Sequence, residues 1–261
     1  MKSIDIEKLE SKYLEKFYHF LKFAEDEMLE GFDTKEKIKN DWFDKYKTGI
    51  SDFAVGAERI VYALFNGKGI GQPNSSPVGS DLFFEVEDAY IHIDLKTVKA
   101  SLKGKTNIGD YLNDIFVGNN QNSYNGKIDV GRIEKIYDKA NLPHFYNLPN
   151  GKKKVCLTYF VTILYDEDSL SILNINLLCM PNGALFGEYG KGVLKAGKVQ
   201  TGLSKKERKT HCKSVRYKWS DNLDFKLLEN KKRIKIVYFD KGMDKKYLEK
   251  LSLIDDLYKN Q

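Results

Sequence analysis

Two apolar runs split by an acidic pair constrain the fold of this chain more than any other stretch. They are Leu82-Phe-Phe-Glu-Val86 and Ala89-Tyr-Ile-His-Ile-Asp-Leu-Lys96, joined across Glu87-Asp88. Both are rich in β-branched, aromatic and aliphatic residues, which predicts two β-strands. A loop of two or four residues gives one and the same hairpin register, because either pairs residues whose numbers sum to 175. Glu-Asp is not the Asn-Gly or Asp-Gly of a type I′ turn, so the wider loop stays open. In this register Leu82 faces Ile93, Phe84 faces Ile91, and Asp81 lies opposite Asp94. Directly opposed residues have Cβ atoms roughly 4.5–5.5 Å apart. Side chains alternate by two, so Leu82, Phe84, Ile91, Ile93 and Leu95 form a core face. Asp81, Asp94 and Lys96 share the other face. Two carboxylates that close repel unless a proton or a cation lies between them. A divalent metal with oxygen ligands is the simplest occupant, and the Lys96 ammonium is placed to act on an attacking water. An Asp-x-Lys at a strand end is also common on solvated surfaces. The register argues against that reading, because a one-residue slip would put the two carboxylates on opposite faces.

The rest of the chain predicts one α/β domain with a mixed central β-sheet flanked by helices. Its 261 residues, 41% hydrophobic and 13% aromatic, can bury a substantial core. Apolar residues from Ile6 to Met28 recur at helical spacing and predict one long amphipathic helix over 4–32, used for core packing or for a dimer contact. Further helices are predicted over 35–46, 52–65, 108–117 and 244–258. Strands are predicted over 155–165, 171–180, 213–219 and 233–239. Within one domain, 1–50 reads as a helical, dimerising segment, 51–180 as the catalytic core, and 181–261 as a recognition loop with closing strands and helix. No run approaches eighteen apolar residues and the N-terminus alternates charges, so a soluble, cytoplasmic protein is expected. Of the three cysteines, Cys156 and Cys179 fall in apolar strand-like runs and read as buried, reduced thiols. His211-Cys212 has no second Cys/His cluster nearby to make a zinc site.

Charge is unevenly spread. Between Lys191 and Lys218 lie ten Lys or Arg against the single acid Glu207, a local excess of nine in a chain of net charge +6, so the remainder is net acidic. Such a patch is the expected footprint of nucleic acid, although alone it reads equally as a solvated lysine-rich surface.

Asp81, twelve intervening residues, then Asp94-Leu95-Lys96 resembles the core motif of the PD-(D/E)XK nuclease superfamily, best known from type II restriction endonucleases. The Asp-Leu-Lys-Thr ending is closest to the blunt-cutting branch that includes EcoRV and HincII. Ser80 stands where the motif's name has Pro, and Pro77 comes earlier. The resemblance implies a restriction-endonuclease-like fold and Mg²⁺-dependent hydrolysis of double-stranded DNA. It also implies a homodimer matched to a palindromic site and a companion DNA methyltransferase. It makes Asp81, Asp94 and the Leu95 carbonyl metal ligands and Lys96 a catalytic residue. Glu58, in Gly56-Ala-Glu-Arg-Ile-Val-Tyr62, resembles the glutamate-bearing helix of the same family, and reads otherwise as an exposed helix Glu.

DNA contacts are expected from two loops. Residues 187–212 carry glycines among cations, so Lys198, Gln200, Thr201, Lys205, Lys206, Arg208 and Lys209, with Lys213 and Arg216 beyond them, are candidates for base edges and phosphates. Gln72 and Asn74 lie in a Gly/Pro-rich loop that resembles in position a minor-groove loop of the branch. Lys99, Lys103 and Lys105 are candidate phosphate contacts or plain solvated lysines. Two other readings stay open: a repair or junction-resolving nuclease on the same core, and a non-catalytic DNA-binding protein with a structural carboxylate pair.

Overall fold

The computed structural model describes residues 1–37, 53–67, 81–103, 108–130, 133–137, 140–197, 204, 215–219 and 232–261. Helix α1 (Ser3–Phe23) runs into α2 (Glu25–Lys37), and α3 spans Phe53–Gly67. The strands β1 (Leu82–Glu85) and β2 (Ala89–Ala100) follow. Next come α4 (Ile108–Asn113), β3 (Ile115–Val117), a 3-10 turn (Asn119–Gln121), β4 (Gly126–Val130) and β5 (Ile133–Tyr137). The strands β6 (Phe145–Asn147), β7 (Lys153–Asp166) and β8 (Ile172–Met180) precede α5 (Phe186–Tyr189) and β9 (Leu194–Ala196). The chain closes with β10 (Val215–Tyr217), β11 (Ile234–Phe239), α6 (Lys245–Lys250) and α7 (Ser252–Lys259).

The main sheet is mixed, as expected, with order β1-β2-β7-β8-β11 and β6 paired to the start of β7. Its hairpin has the predicted register, Leu82 opposite Ile93 and Phe84 opposite Ile91. Val86 N donates to Ala89 O at 2.9 Å, which closes the tight turn over Glu87-Asp88. That turn is anchored from outside: Tyr13 OH and the Lys12 ammonium of α1 both bond the Asp88 carboxylate. β2 then runs parallel to β7 from Ala89–Val155 to Ala100–Asp166. Every residue of β8 and all of 155–164 in β7 are buried. Strands covered on both faces read as continuous apolar runs, which is why these two were easy to predict.

Helices α1 and α3 cover one face. Phe17 sits edge-on to Phe84 (5.8 Å between ring centroids) and to Tyr159 (5.3 Å), with Phe65 of α3 at 5.7 Å. Edge-to-face rings at these separations add to the stabilisation from burial alone. The predicted helix over 4–32 is two helices that turn at Ala24. The turn falls where Lys22 donates to Val237 O (3.0 Å) and pairs with Glu25, holding the end of α1 at the sheet. α2 passes through Asp33-Thr34 without a break, so no helix starts after them; residues 38–46 lie outside the described residues. The closing helix likewise divides at the buried Leu251.

On the other face α4 packs against β2, and the small three-stranded sheet β3-β10-β9 meets the hairpin β4-β5 through β9 and β4. The 108–117 stretch is therefore not one helix. It stops at Asp114, whose buried carboxylate holds Arg216 (2.8 Å) and Lys195, and Ile115–Val117 then pairs with β10. Tyr111 of α4 reaches the main sheet, where its hydroxyl meets Asn174 and Asn176.

A buried ion cluster joins α1 to the far edge of the sheet. The Arg233 guanidinium donates to Glu7 (3.1 Å), Glu10 (2.8 Å) and Tyr189 OH (3.1 Å), and Asn182 N donates to Glu10 at 2.7 Å. Both acids are fully buried and Arg233 is 1% exposed. Burial pushes the Glu10 carboxyl up, and Arg233 pulls it back down. Removing one partner of such a group strands a buried charge. Arg233→Ala is expected to cost about 3–5 kcal/mol of unfolding free energy in equilibrium urea titrations. A loss under about 1 kcal/mol would mean that Glu7 and Glu10 do not depend on Arg233.

Candidate active site

The carboxylates predicted to meet do meet. Asp81 directly precedes β1, and its Oδ2 accepts from Leu95 N at 2.6 Å. Leu95 is the first residue of β2 beyond the hairpin ladder whose amide faces the β1 side. A side chain therefore replaces the missing strand partner and satisfies an orphan edge amide. In an extended strand the amide and carbonyl of one residue point the same way, so the Leu95 carbonyl also lies on the Asp81 side.

Asp94 sits on the opposite face of β2 from the Leu82–Ile93 core and is only 2% exposed. Burial pushes its carboxyl up to about 7, with the Asp81 charge adding to the rise and Lys96 opposing it. Lys96 forms an ion pair with Asp94 Oδ2, and its ammonium lies 5.8 Å from the centroid of the Phe160 ring. That same oxygen is fully shielded from solvent. His92, one step earlier on the same face, is fully buried against Tyr146, bonded to its hydroxyl at 2.8 Å. Burial pushes its imidazole down to about 4, so it stands as a neutral wall beside the acids.

One site residue has no signal in the sequence. Gln121, in the 3-10 turn, donates from Nε2 to Asp94 Oδ1 (2.8 Å) and accepts at Oε1 from Lys96 Nζ (2.9 Å). It lies in a polar run of asparagines and glycines, where nothing in spacing or periodicity distinguishes it from its neighbours.

The donor set fits a hard divalent cation. Two carboxylates are in contact, one of them almost fully buried, and both offer oxygen donors. Mg²⁺ keeps several waters and takes only one or two carboxylates. No group of three His, Cys, Asp or Glu gathers among the described residues.

Glu58 falls on α3, which packs against β2; its side chain is outside the described residues. Lys99 pairs with Glu167, and Lys103 Nζ lies 3.4 Å from Asp168, so both face the acidic β7–β8 turn. Arg216 is held by Asp114 with its side chain 12% exposed. Gln72, Asn74, Lys105, Lys198, Gln200, Thr201, Lys205, Lys206, Arg208, Lys209, Lys213 and Cys212 lie outside the described residues. Cys156 and Cys179 are buried free thiols, as read from their context.

A family model described as type II restriction enzyme MwoI, N-terminal domain, matches residues 2–169, and one for the central domain of the same enzyme matches 172–239. The junction between them falls in the β7–β8 turn, inside the main sheet. No curated protein matches the sequence. Among solved structures the fold is similar to that of the restriction endonuclease BglI bound to its DNA recognition sequence, with TM-score 0.68 and 18% identity over 90% of this chain and 91% of that one. It is also similar to the tetrameric restriction endonuclease SfiI bound to cognate DNA, with TM-score 0.61 and 14% identity over 93% and 88%.

The raised Asp94 carboxyl has a consequence for stability. The folded, metal-free protein keeps a proton there up to about pH 7, whereas an unfolded Asp releases it near about pH 3.9. The folded state thus binds more protons between those values, and stability from this group falls as pH rises through the window. Asp94→Asn is expected to remove that fall, gaining up to about 4 kcal/mol over wild type at pH 8 and little at pH 4. Urea unfolding in EDTA at both pH values checks it; equal pH dependence in both proteins would contradict the assignment.

Proposed function

The chain belongs to the type II restriction enzyme MwoI family, which makes it a site-specific endonuclease that hydrolyses DNA, and we propose that Asp81, Asp94 and Lys96 form its cleavage site. The repair, junction-resolving and non-catalytic readings give way to the family match. One observation carries the site reading: two carboxylates from neighbouring strands converge beside an ammonium on one face of β2.

The family implies a divalent metal, and Mg²⁺ is the ion proposed here. Asp81, Asp94 and the Leu95 carbonyl would hold it, with Glu58 as a further carboxylate. When bound, the cation stabilises charge on the phosphate and makes water more acidic. The chain's own groups do the rest. Leu95 N fixes the Asp81 carboxylate. Asp94 must release its proton for the site to carry two negative charges. Lys96 orients the attacking water and offsets charge as it develops on the phosphate oxygens. His92 and Phe160 keep the floor of the site dry.

The wider proposal is a cytoplasmic homodimer on a palindromic duplex, one cleavage site per strand, paired with a DNA methyltransferase. The chain acts as one domain, with 1–50 for dimerisation, 51–180 for catalysis and 181–261 for recognition. Kinship with the blunt-cutting EcoRV/HincII branch rests on the Asp-Leu-Lys-Thr motif. Sequence reading is assigned to 187–212, with phosphates met by Lys99, Lys103, Lys105, Lys213 and Arg216. Gln72 and Asn74 approach the minor groove.

Cleavage of a sequenced plasmid in Mg²⁺ tests the site. Asp94→Ala, Asp81→Ala and Lys96→Ala are expected to abolish cutting, and Glu58→Ala to reduce it. Cleavage within about tenfold of wild type in either Asp variant would sink the assignment.

Recognition is tested by binding with Ca²⁺ in place of Mg²⁺. If about six phosphates are neutralised per protomer, log K falls against log salt with a slope near −5. Charge removal at Lys205, Lys206 and Lys209 flattens it. Alanine at Gln200, Thr201 or Arg208 should weaken cognate more than scrambled duplex by about 1–3 kcal/mol per lost base contact. Equal losses on both duplexes would move sequence reading to the loop that carries Gln72 and Asn74.

A further inference from the structure

Gln121 commits both ends of its side-chain amide to the two charged groups on β2. Nε2 donates to Asp94 Oδ1 at 2.8 Å, while Oε1 accepts from Lys96 Nζ at 2.9 Å and from Gly118 N at 2.8 Å. Two obligate donors, the Lys96 ammonium and Gly118 N, fix which end is Oε1. A flipped amide would set its own donors against both.

The turn that carries Gln121 is braced on both sides. Buried Asn122 donates to Gly118 O (2.9 Å) and accepts from Tyr124 N (2.9 Å). Asn141 N and Leu142 N donate to the carbonyls of Asn119 (2.7 Å) and Asn122 (3.1 Å). Gly118 has φ −74°, a conformation open to any residue, so backbone freedom does not explain it. Space does: a Cβ there would lie 3.0 Å from Gln121 Oε1 and 3.2 Å from its Cδ. The glycine leaves room for the side chain that spans Asp94 and Lys96.

Asp94 and Lys96 already meet through Asp94 Oδ2, a contact that alone leaves the carboxylate and the ammonium free to swivel about each other. Gln121 adds a second link, holding Asp94 Oδ1 and one proton of the Lys96 ammonium with one neutral amide. We propose that Gln121 is a positioning residue for DNA cleavage, fixing the orientation of the Asp94–Lys96 ion pair in the arrangement the reaction uses. This rests on the cleavage-site reading above. A group that orients charged site residues in this way is worth about 10- to 100-fold in activity.

The test is single-turnover cutting, in Mg²⁺, of a plasmid that the wild-type protein cuts into discrete fragments. Gln121→Ala and the near-isosteric Gln121→Met are expected to slow cutting about 10- to 100-fold. Melting temperature and Ca²⁺-supported binding to the same DNA should hold, binding within about threefold. Gly118→Ala should slow the otherwise wild-type protein and add nothing further to Gln121→Ala, because both act through one side chain. Cutting within about threefold of wild type in both Gln121 variants, with Asp94→Ala inactive, overturns this inference alone. So does a loss of cutting that melting temperature and binding share. If Asp94→Ala cuts like wild type, the cleavage-site reading falls and this inference with it. Should Gln121→Ala fail to fold, Gln121→Met and Gly118→Ala decide by the same criteria.

Discussion

The parallel pairing of β2 with β7 governs the rest of the molecule. It runs unbroken from Ala89 to Ala100 and makes β2 an interior strand with cover on both sides. Interior strands suit apolar residues, yet β2 carries His92, Asp94 and Lys96 on one face. That conflict is settled locally. His92 stays neutral and bonded to Tyr146, Asp94 is balanced by Lys96 and Gln121, and the Lys96 ammonium lies over the Phe160 ring. Polar residues in such a place persist when every one has a partner, and the partners then dictate a single arrangement. β1 begins one residue after Asp81, so on that edge of β2 the next amide, Leu95 N, is taken up by the Asp81 carboxylate.

The two faces of the sheet have different tasks. Aromatic rings from α1 and α3 fill one, where Phe17 touches Phe65, Phe84 and Tyr159. The other combines buried apolar side chains, Ile108, Ile115, Val117 and Trp219 among them, with polar links: Tyr111 to Asn174 and Asn176, Asp114 to Arg216, and Gln121 to Asp94 and Lys96. Directional bonds hold groups at set distances more tightly than apolar packing does. The site residues on β2 are thus set by directional contacts laid over a common apolar core.

The hairpin was legible because its information is local. Alternation along 82–96 sets the faces, and the pairing sum sets which residues oppose, so Asp81, Asp94 and Lys96 could be brought together from spacing alone. The long strands β7 and β8 were equally plain as continuous apolar runs. What escaped was structure made by distant partners. β3 holds only Ile115–Val117, too short to register against the preceding helix, and exists because β10 pairs with it across about a hundred residues of sequence. The β4-β5 hairpin starts in a Gly- and Asn-rich run that reads as loop. Gln121 reaches the site only through a fold of the 101–152 connection, and Glu7, Glu10 and Arg233 looked like solvated charges on either end of the chain. No periodicity marks a charge whose partner lies more than two hundred positions away.

The small sheet has a separate consequence. Ala196 and Val215 stand opposite each other on β9 and β10, so the chain departs and returns at a single rung, and Asp114 ties both strands down through Lys195 and Arg216. Whatever lies between those two residues is an excursion from a fixed mount. Doubling its length would cost only about 0.6 kcal/mol in closure entropy. The length of that segment is thus a weak constraint on the two strands that carry it.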